Sequence, residues 1–269
     1  MTVSKSFELS KNQIQEFFEV GWTVIPNLFN KIEIEKMQQC FNQLAETSER
    51  IQTTQILDQS YFVLDRDPIS SKVIIKRVVW AGGHAPYLLE IGQDNRILHP
   101  VSQLLGCKEF DHILNQAHFK RPGDKVIFDW HQDIQHRDKG VGTWKDVNGL
   151  GSYVQTALTV DPMTMDNGPL LFYPGSCKWG KVDFGTQEDY DYNPHQYLEN
   201  MPSGFDESKI VTVTAPAGSL LLFGPYTAHA SFENKSAHSR KVLINGYAYP
   251  GSNGRIYPGS GKGIKVKVF

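Results

Sequence analysis

Residues 125–138 read KVIFDWHQDIQHRD, a short apolar run that closes on a histidine, a glutamine and an aspartate. Side chains on a β-strand alternate between faces, so His131 and Asp133 of such a strand point the same way. An imidazole nitrogen and a carboxylate oxygen on one face make two adjacent metal ligands. A hydrogen-bonded pair at a strand end also explains the two residues. The same spacing recurs as His136 and Asp138, but in a charged segment, QHRDKG, that reads as solvated loop.

Outward from this stretch the chain is rich in short β-branched and aromatic runs. VIIKRVVW (73–80), HILNQAHFK (112–120), SYVQTALTV (152–160), GPLLFYPG (168–175), KIVTVTA (209–215), GSLLLFG (218–224) and KVLINGYAY (241–249) are mostly separated by turn-forming residues. Ahead of them Ser10 can cap a short helix over 11–20. Trp22 to Phe29 reads as a strand running into a turn. Asn30 can cap a longer helix with Ile34, Met37, Phe41 and Leu44 on one face. Many short strands behind a helical layer predict a mostly β fold with flanking helices, a double-sheet jelly roll. No repeat, low-complexity tract or linker divides the chain, so 1–269 reads as one domain. Its helical layer covers about residues 1–50 and its β core about 70–250. Two long connections, roughly 134–151 and 176–208, have the length of binding loops or lids.

The 269 residues carry 27 Lys and Arg against 29 Asp and Glu, a net charge of −2 that argues against nucleic-acid binding or attachment to an anionic membrane. No apolar run is long enough to span a bilayer. The first residues lack the basic-then-apolar layout of a signal peptide. Cys40, Cys107 and Cys177 are odd in number and far apart, which gives no disulfide framework and makes the reducing cytoplasm the expected compartment.

A third ligand must come from another strand. His229 follows the apolar strand GSLLLFG and a Gly-Pro turn; the alternative for it is a capping or buried turn histidine. Arg240 lies eleven residues on, at the start of KVLING. A guanidinium there can pair with the carboxylate of a small acid, and Ser231 can donate to the same group. Two imidazoles and one carboxylate form the facial triad of non-haem Fe(II) oxygenases, which leaves three positions open. Zinc sites use the same donors, but no H-E-x-x-H helix is present.

At these residues the chain resembles the phytanoyl-CoA dioxygenase family of Fe(II)/2-oxoglutarate oxygenases, which includes ectoine hydroxylase. LSKNQIQEFFEVGWTVIPNLFNKIEIEKM, FKRPGDKVIFDWHQD, ALTVDPMTMDNGPLLFYPGSCKWG and HASFENKSAHSR follow the order of that family's motifs. One departure is Cys177, where the family often has histidine. The resemblance implies a double-stranded β-helix (cupin-like) core, with Fe(II) held by His131, Asp133 and His229. It implies Arg240, assisted by Ser231, as the anchor for 2-oxoglutarate, with Gln116, His118 and Thr156 as further cosubstrate candidates. Trp130, Trp144, Tyr153, Phe172 and segment 178–208 are candidate substrate walls or lid. The implied activity is O2-dependent hydroxylation of a small polar metabolite, such as a free amino acid or natural-product intermediate, with release of succinate and CO2. A small-molecule substrate is the expected partner, with no nucleic acid and no membrane. A non-catalytic jelly-roll binding protein and a zinc hydrolase are the competing classes.

Overall fold

The computed structural model describes residues 7–138, 143–182, 184 and 205–268. Their elements run α1 (Lys11–Glu19), β1 (Trp22–Ile25), α2 (Lys31–Ile51), β2 (Gln55–Leu57), β3 (Ser60–Arg66), β4 (Val73–Val79), α3 (Pro86–Gly92), α4 (Asn95–Leu105), β5 (Glu109–Lys120), β6 (Phe128–His131), α5 (Asp133–Arg137), β7 (Tyr153–Thr159), β8 (Leu170–Phe172), β9 (Val211–Val213), β10 (Leu220–Phe223), β11 (His229–Ser231), β12 (Arg240–Ala248) and β13 (Ile264–Lys267). The helices start where the capping chemistry predicts. Ser10 Oγ accepts from the Gln13 amide and Gln13 Oε1 accepts from the Ser10 amide. Asn30 and Glu33 make the same reciprocal pair at α2.

Two antiparallel sheets face one another. The larger is ordered β1-β10-β7-β12-β5-β4-β3-β2, with β13 added to β5; the smaller is ordered β6-β11-β8-β9. The outer face of the large sheet packs on the helices. Met37, Phe41 and Leu44 of α2, Leu88 of α3 and Leu98 and Val101 of α4 meet Ala117, Phe119, Leu158, Leu222 and Leu243 there. Its inner face presents Ala157, Leu221, Phe223, Val242 and Ile244 to Leu170 and Phe172 of the small sheet. This is the expected double-stranded β-helix. The large sheet also takes in β1 and β13, near the two ends of the chain.

Two bulges decide which side chains enter the space between the sheets. In β4, Ile75 pairs with Leu64 and Arg77 with Val63, so Lys76 is the extra residue and Arg77 turns inward, across from His118. In β6, Phe128 pairs with Ser231 and His131 with His229, so residues 129–130 form the bulge. Phe128 and His131 thereby share the inner face.

The chain before β1 clasps the loops beneath the small sheet. Thr227 Oγ1 donates to Gly21 O at 2.7 Å, and the Gly175 amide to Val20 O at 2.8 Å. Among the described residues, no helix is long and apolar enough to cross a membrane.

Candidate metal centre

His131 ends β6 and His229 opens β11, directly opposite in register, with ring centroids 4.2 Å apart. Asp133 is not on the strand, as period-two alternation predicts. The strand stops at His131, and Asp133 begins α5 behind Gln132. The helical turn still aims its carboxylate at the same point: one ligand atom from each of His131, Asp133 and His229 lies within 4.8 Å of the others. The second H-x-D also differs from expectation. His136 is on α5, with its ring 5.3 Å from that of His131.

The imidazoles are set for ligation. His131 Nδ1 faces the Asp129 carbonyl at 2.6 Å and His229 Nδ1 the Thr227 carbonyl at 2.9 Å. Each Nδ1 therefore carries the proton and each Nε2 keeps its lone pair. Burial pushes both rings down to about 4, with the His229 ring adding to the effect at His131. They are neutral at physiological pH, as metal ligation requires. Burial raises Asp133, opposed by the Arg137 guanidinium and by a hydrogen bond from Gln155. One Asp133 oxygen, Oδ2, is buried with no hydrogen-bond partner. An orphaned buried acceptor is costly, and a cation among these donors satisfies it. Two neutral imidazoles and a carboxylate on one side suit Fe(II).

A supporting shell stands behind the carboxylate. The Tyr153 hydroxyl donates to Gln155 Oε1, which leaves the Gln155 amide for Asp133. The Arg137 guanidinium lies between the Tyr153 and Tyr257 rings, 5.2 and 5.3 Å from their centroids, and donates to Tyr257 Oη. Arg137 and Gln155 went unnoticed in the sequence. The only signal was a glutamine inside the apolar run SYVQTALTV.

Arg240 is buried, with 2% of its surface exposed. It donates to the Gly168 carbonyl and to Ser231 Oγ at 3.3 Å. No carboxylate among the described residues pairs with it, and burial pushes its guanidinium down to about 10. Lys120, across the ladder from Arg240, donates to the carbonyls of Val126, Ser231 and Phe232 and ties β5 to the small sheet. Gln116 and His118 share the inner face, are hydrogen-bonded at 2.9 Å and keep partial exposure, with the His118 ring 4.8 Å from Phe128.

The other candidates fall elsewhere. Thr156 alternates with inward-facing Gln155 and Ala157, so it sits on the helix side of the large sheet, opposite Leu222 and Asn245. The β6 bulge turns Trp130 outward onto Tyr173, Phe184, Ala228 and Ala230. Trp144 is packed on Tyr153, its indole donating to Gly151 O at 3.2 Å. Tyr153 is 1% exposed and supports Gln155 rather than lining open space. Phe172 faces inward but is sealed beneath His229, 5.8 Å from its ring. Most of the candidate lid, 178–208, lies outside the described residues.

Comparison with known proteins follows the same lines. Residues 17–242 match the family model described as Phytanoyl-CoA dioxygenase (PhyH). The L-proline trans-4-hydroxylase of Streptomyces griseoviridis is 30% identical over 165 residues, 55% of this chain and 57% of that protein. The chain thus spans little more than half of that relative. The ectoine dioxygenase of Bordetella parapertussis is 26% identical over 252 residues, 89% of this chain and 75% of that one. Among solved structures, EctD from S. alaskensis with 2-oxoglutarate and 5-hydroxyectoine superposes with a TM-score of 0.67 at 21% identity, covering 90% of this chain and 76% of that one. The epimerase SnoN of nogalamycin biosynthesis gives 0.64 at 15%, covering 89% and 80%. At these identities the structural matches speak for the fold. With the family model spanning most of the chain, and both sheets and the ordered motifs in place, the chain belongs to the phytanoyl-CoA dioxygenase (PhyH) family.

Proposed function

We propose that this chain is an Fe(II)- and 2-oxoglutarate-dependent dioxygenase. It hydroxylates an unactivated C–H bond of a small amino-acid-like metabolite and releases succinate and CO2. The carrying observation is the convergence of His131, Asp133 and His229 within 4.8 Å. Family membership and the hydroxylase names of the relatives support it. We further read the whole chain as one catalytic domain of the reducing cytoplasm, where its three free cysteines stay thiols.

Bound Fe(II) supplies the O2 chemistry that decarboxylates 2-oxoglutarate and attacks the C–H bond. The chain supplies position and exclusion. His131, Asp133 and His229 would hold the ion, and as a two-imidazole, one-carboxylate set would leave positions for 2-oxoglutarate and O2. Arg240 and Ser231 receive the distal carboxylate of 2-oxoglutarate, a charge-assisted contact strengthened by burial. Phe172, Phe223 and Val242 seal the floor, and Gln116 and His118 present polar edges beside it. Water is kept from the ligand side while the mouth stays open to substrate.

The test is iron-dependent succinate formation from 2-oxoglutarate. His131→Ala, Asp133→Ala and His229→Ala should each remove it, and unchanged turnover in all three would discard the ligand assignment. Hydrolysis supported by Zn2+ without 2-oxoglutarate would favour the hydrolase class. Ligand binding without O2 uptake would favour a binding protein.

A further inference from the structure

We propose that Arg77 is the anchor for an anionic group, a carboxylate, on the substrate to be oxidised. The inference rests on the dioxygenase reading and adds a recognition residue and a substrate class to it.

Arg77 is a cation without a counterion. Among the described residues no ion pair or hydrogen bond reaches its guanidinium, although burial depresses its pKa. The strand does not leave its direction to chance. The extra residue at Lys76 turns Arg77 to the inner face, and Lys76 is itself paired with Asp65 at 2.8 Å. Across the ladder Arg77 meets His118, and in the next inward row Val79 meets Gln116. Arg77, His118, Gln116 and Phe128 all keep partial exposure, whereas Val242, Ala157 and Phe223 further along the inner face are sealed. Arg77 thus stands on the open side of the interior. Its charge is felt at His131 and His118, and so within reach of the metal ligands.

A second guanidinium, that of Arg137 between the Tyr153 and Tyr257 rings, lies near enough to matter. Arg137 also acts on Arg77, as a like charge that lowers its pKa. Among the described residues no carboxylate stands beside Arg77 to offset that repulsion, and an anionic group on a bound ligand would. 2-Oxoglutarate does not meet that need. Arg240 lies on β12, two strands from β4, which at the usual strand spacing is about 10 Å. A diacid with one carboxylate on Arg240 and its other end at the metal has no third anionic group for Arg77. The substrates named for three relatives, L-proline, ectoine and hypophosphite, each carry one anionic group.

The test uses Fe(II)-loaded protein with saturating 2-oxoglutarate and reads succinate release stimulated by matched pairs. These are L-proline with L-prolinamide, ectoine with its amide, and the remaining protein α-amino acids with their amides. The expected stimulants are acids, each favoured over its amide by about 100-fold in kcat/KM, as expected when a buried charge loses its partner. In Arg77→Gln that preference should fall to near one, mainly through the KM of the acid. Arg77→Lys, which keeps the charge but not the fork, should be intermediate. The acid-to-amide ratio is internal to each variant, so a loss of folded protein moves both members equally. The inference is overturned if an amide serves as well as its acid, if no acid stimulates, or if Arg77→Gln keeps the preference. Wild-type protein that makes no succinate under any condition fails the dioxygenase reading itself, and this inference with it.

Discussion

Asp133 shows how little a single residue type says until its neighbours are known. Its carboxylate is buried, half orphaned and steadied by Gln155 and Arg137, so its value lies in the cation it awaits. Arg240 is the complementary case, a buried guanidinium awaiting an anion. Replacing Arg240 by alanine should raise the KM for 2-oxoglutarate by about 100-fold, since a charge-assisted contact is lost. Iron binding, measured by equilibrium dialysis, should be retained. His112 gives a residue-scale prediction remote from the metal. It stacks on Tyr247 with centroids 4.8 Å apart, Nε2 faces Asn245, and burial pushes it down to about 4. The unfolded chain takes up that proton near pH 6.5 and the native state does not until about 4. The His112 share of stability is therefore full above 6.5 and falls as the pH drops between the two values, by roughly 3 kcal/mol, beside similar shares from His131 and His229 in metal-free protein. Urea midpoints measured across this window check it. His112→Gln should remove its share and make the slope shallower, and a slope unchanged by that substitution contradicts the assignment.

Among the elements, the strand-rich core was legible because each strand of the inner layers is a compact apolar run with turn residues at its ends. α1 and α2 were legible because Ser10 and Asn30 announce them and their apolar faces keep helical spacing. Residues 55–66 and 86–105 were not assigned. α3 has seven residues and α4 carries Pro100 within it, so neither holds a long uninterrupted helical pattern. The three proposed ligands were legible as residue types in a family-like order, but their convergence was not legible as geometry. A bulge at 129–130 and a strand that stops two residues short of Asp133 place His131 and Asp133, and period-two reasoning sees neither. The same blindness hid Arg77 and left open which face Trp130 and Thr156 take. Gly246 of β12 yields a prediction of this kind. The space an alanine methyl would occupy there is filled by the Tyr153 ring and hydroxyl. Gly246→Ala must displace Tyr153, which steadies Gln155 against Asp133. It should cost about 1–3 kcal/mol of stability. It should also weaken iron binding by about 10-fold, as loss of outer support does at metal sites. Thermal unfolding and an iron titration separate the two effects.

On the scale of the whole molecule, the two sheets form a closed floor and an open rim, and the charges are not balanced across that space. Among the described residues, Arg77, Arg137 and Arg240 lie about an interior to which Asp133 contributes a carboxylate. Filling it with anions should therefore tighten the fold. 2-Oxoglutarate should raise the melting temperature even of iron-free protein, with a smaller rise in Arg240→Ala; equal shifts in both would count against the anchor.

The loop that delivers His229 is fastened by main-chain and hydroxyl contacts to residue 21, far away in the chain. A protease cut or a shortened gene product that removed everything ahead of Trp22 would leave all three ligands and both arginine anchors in place on paper. It would nonetheless free the turn at Thr227, whose carbonyl holds the His229 ring in its ligating tautomer. Such a fragment should bind iron poorly despite an intact motif, because the Gly21 carbonyl that ties down the Thr227 turn would be gone.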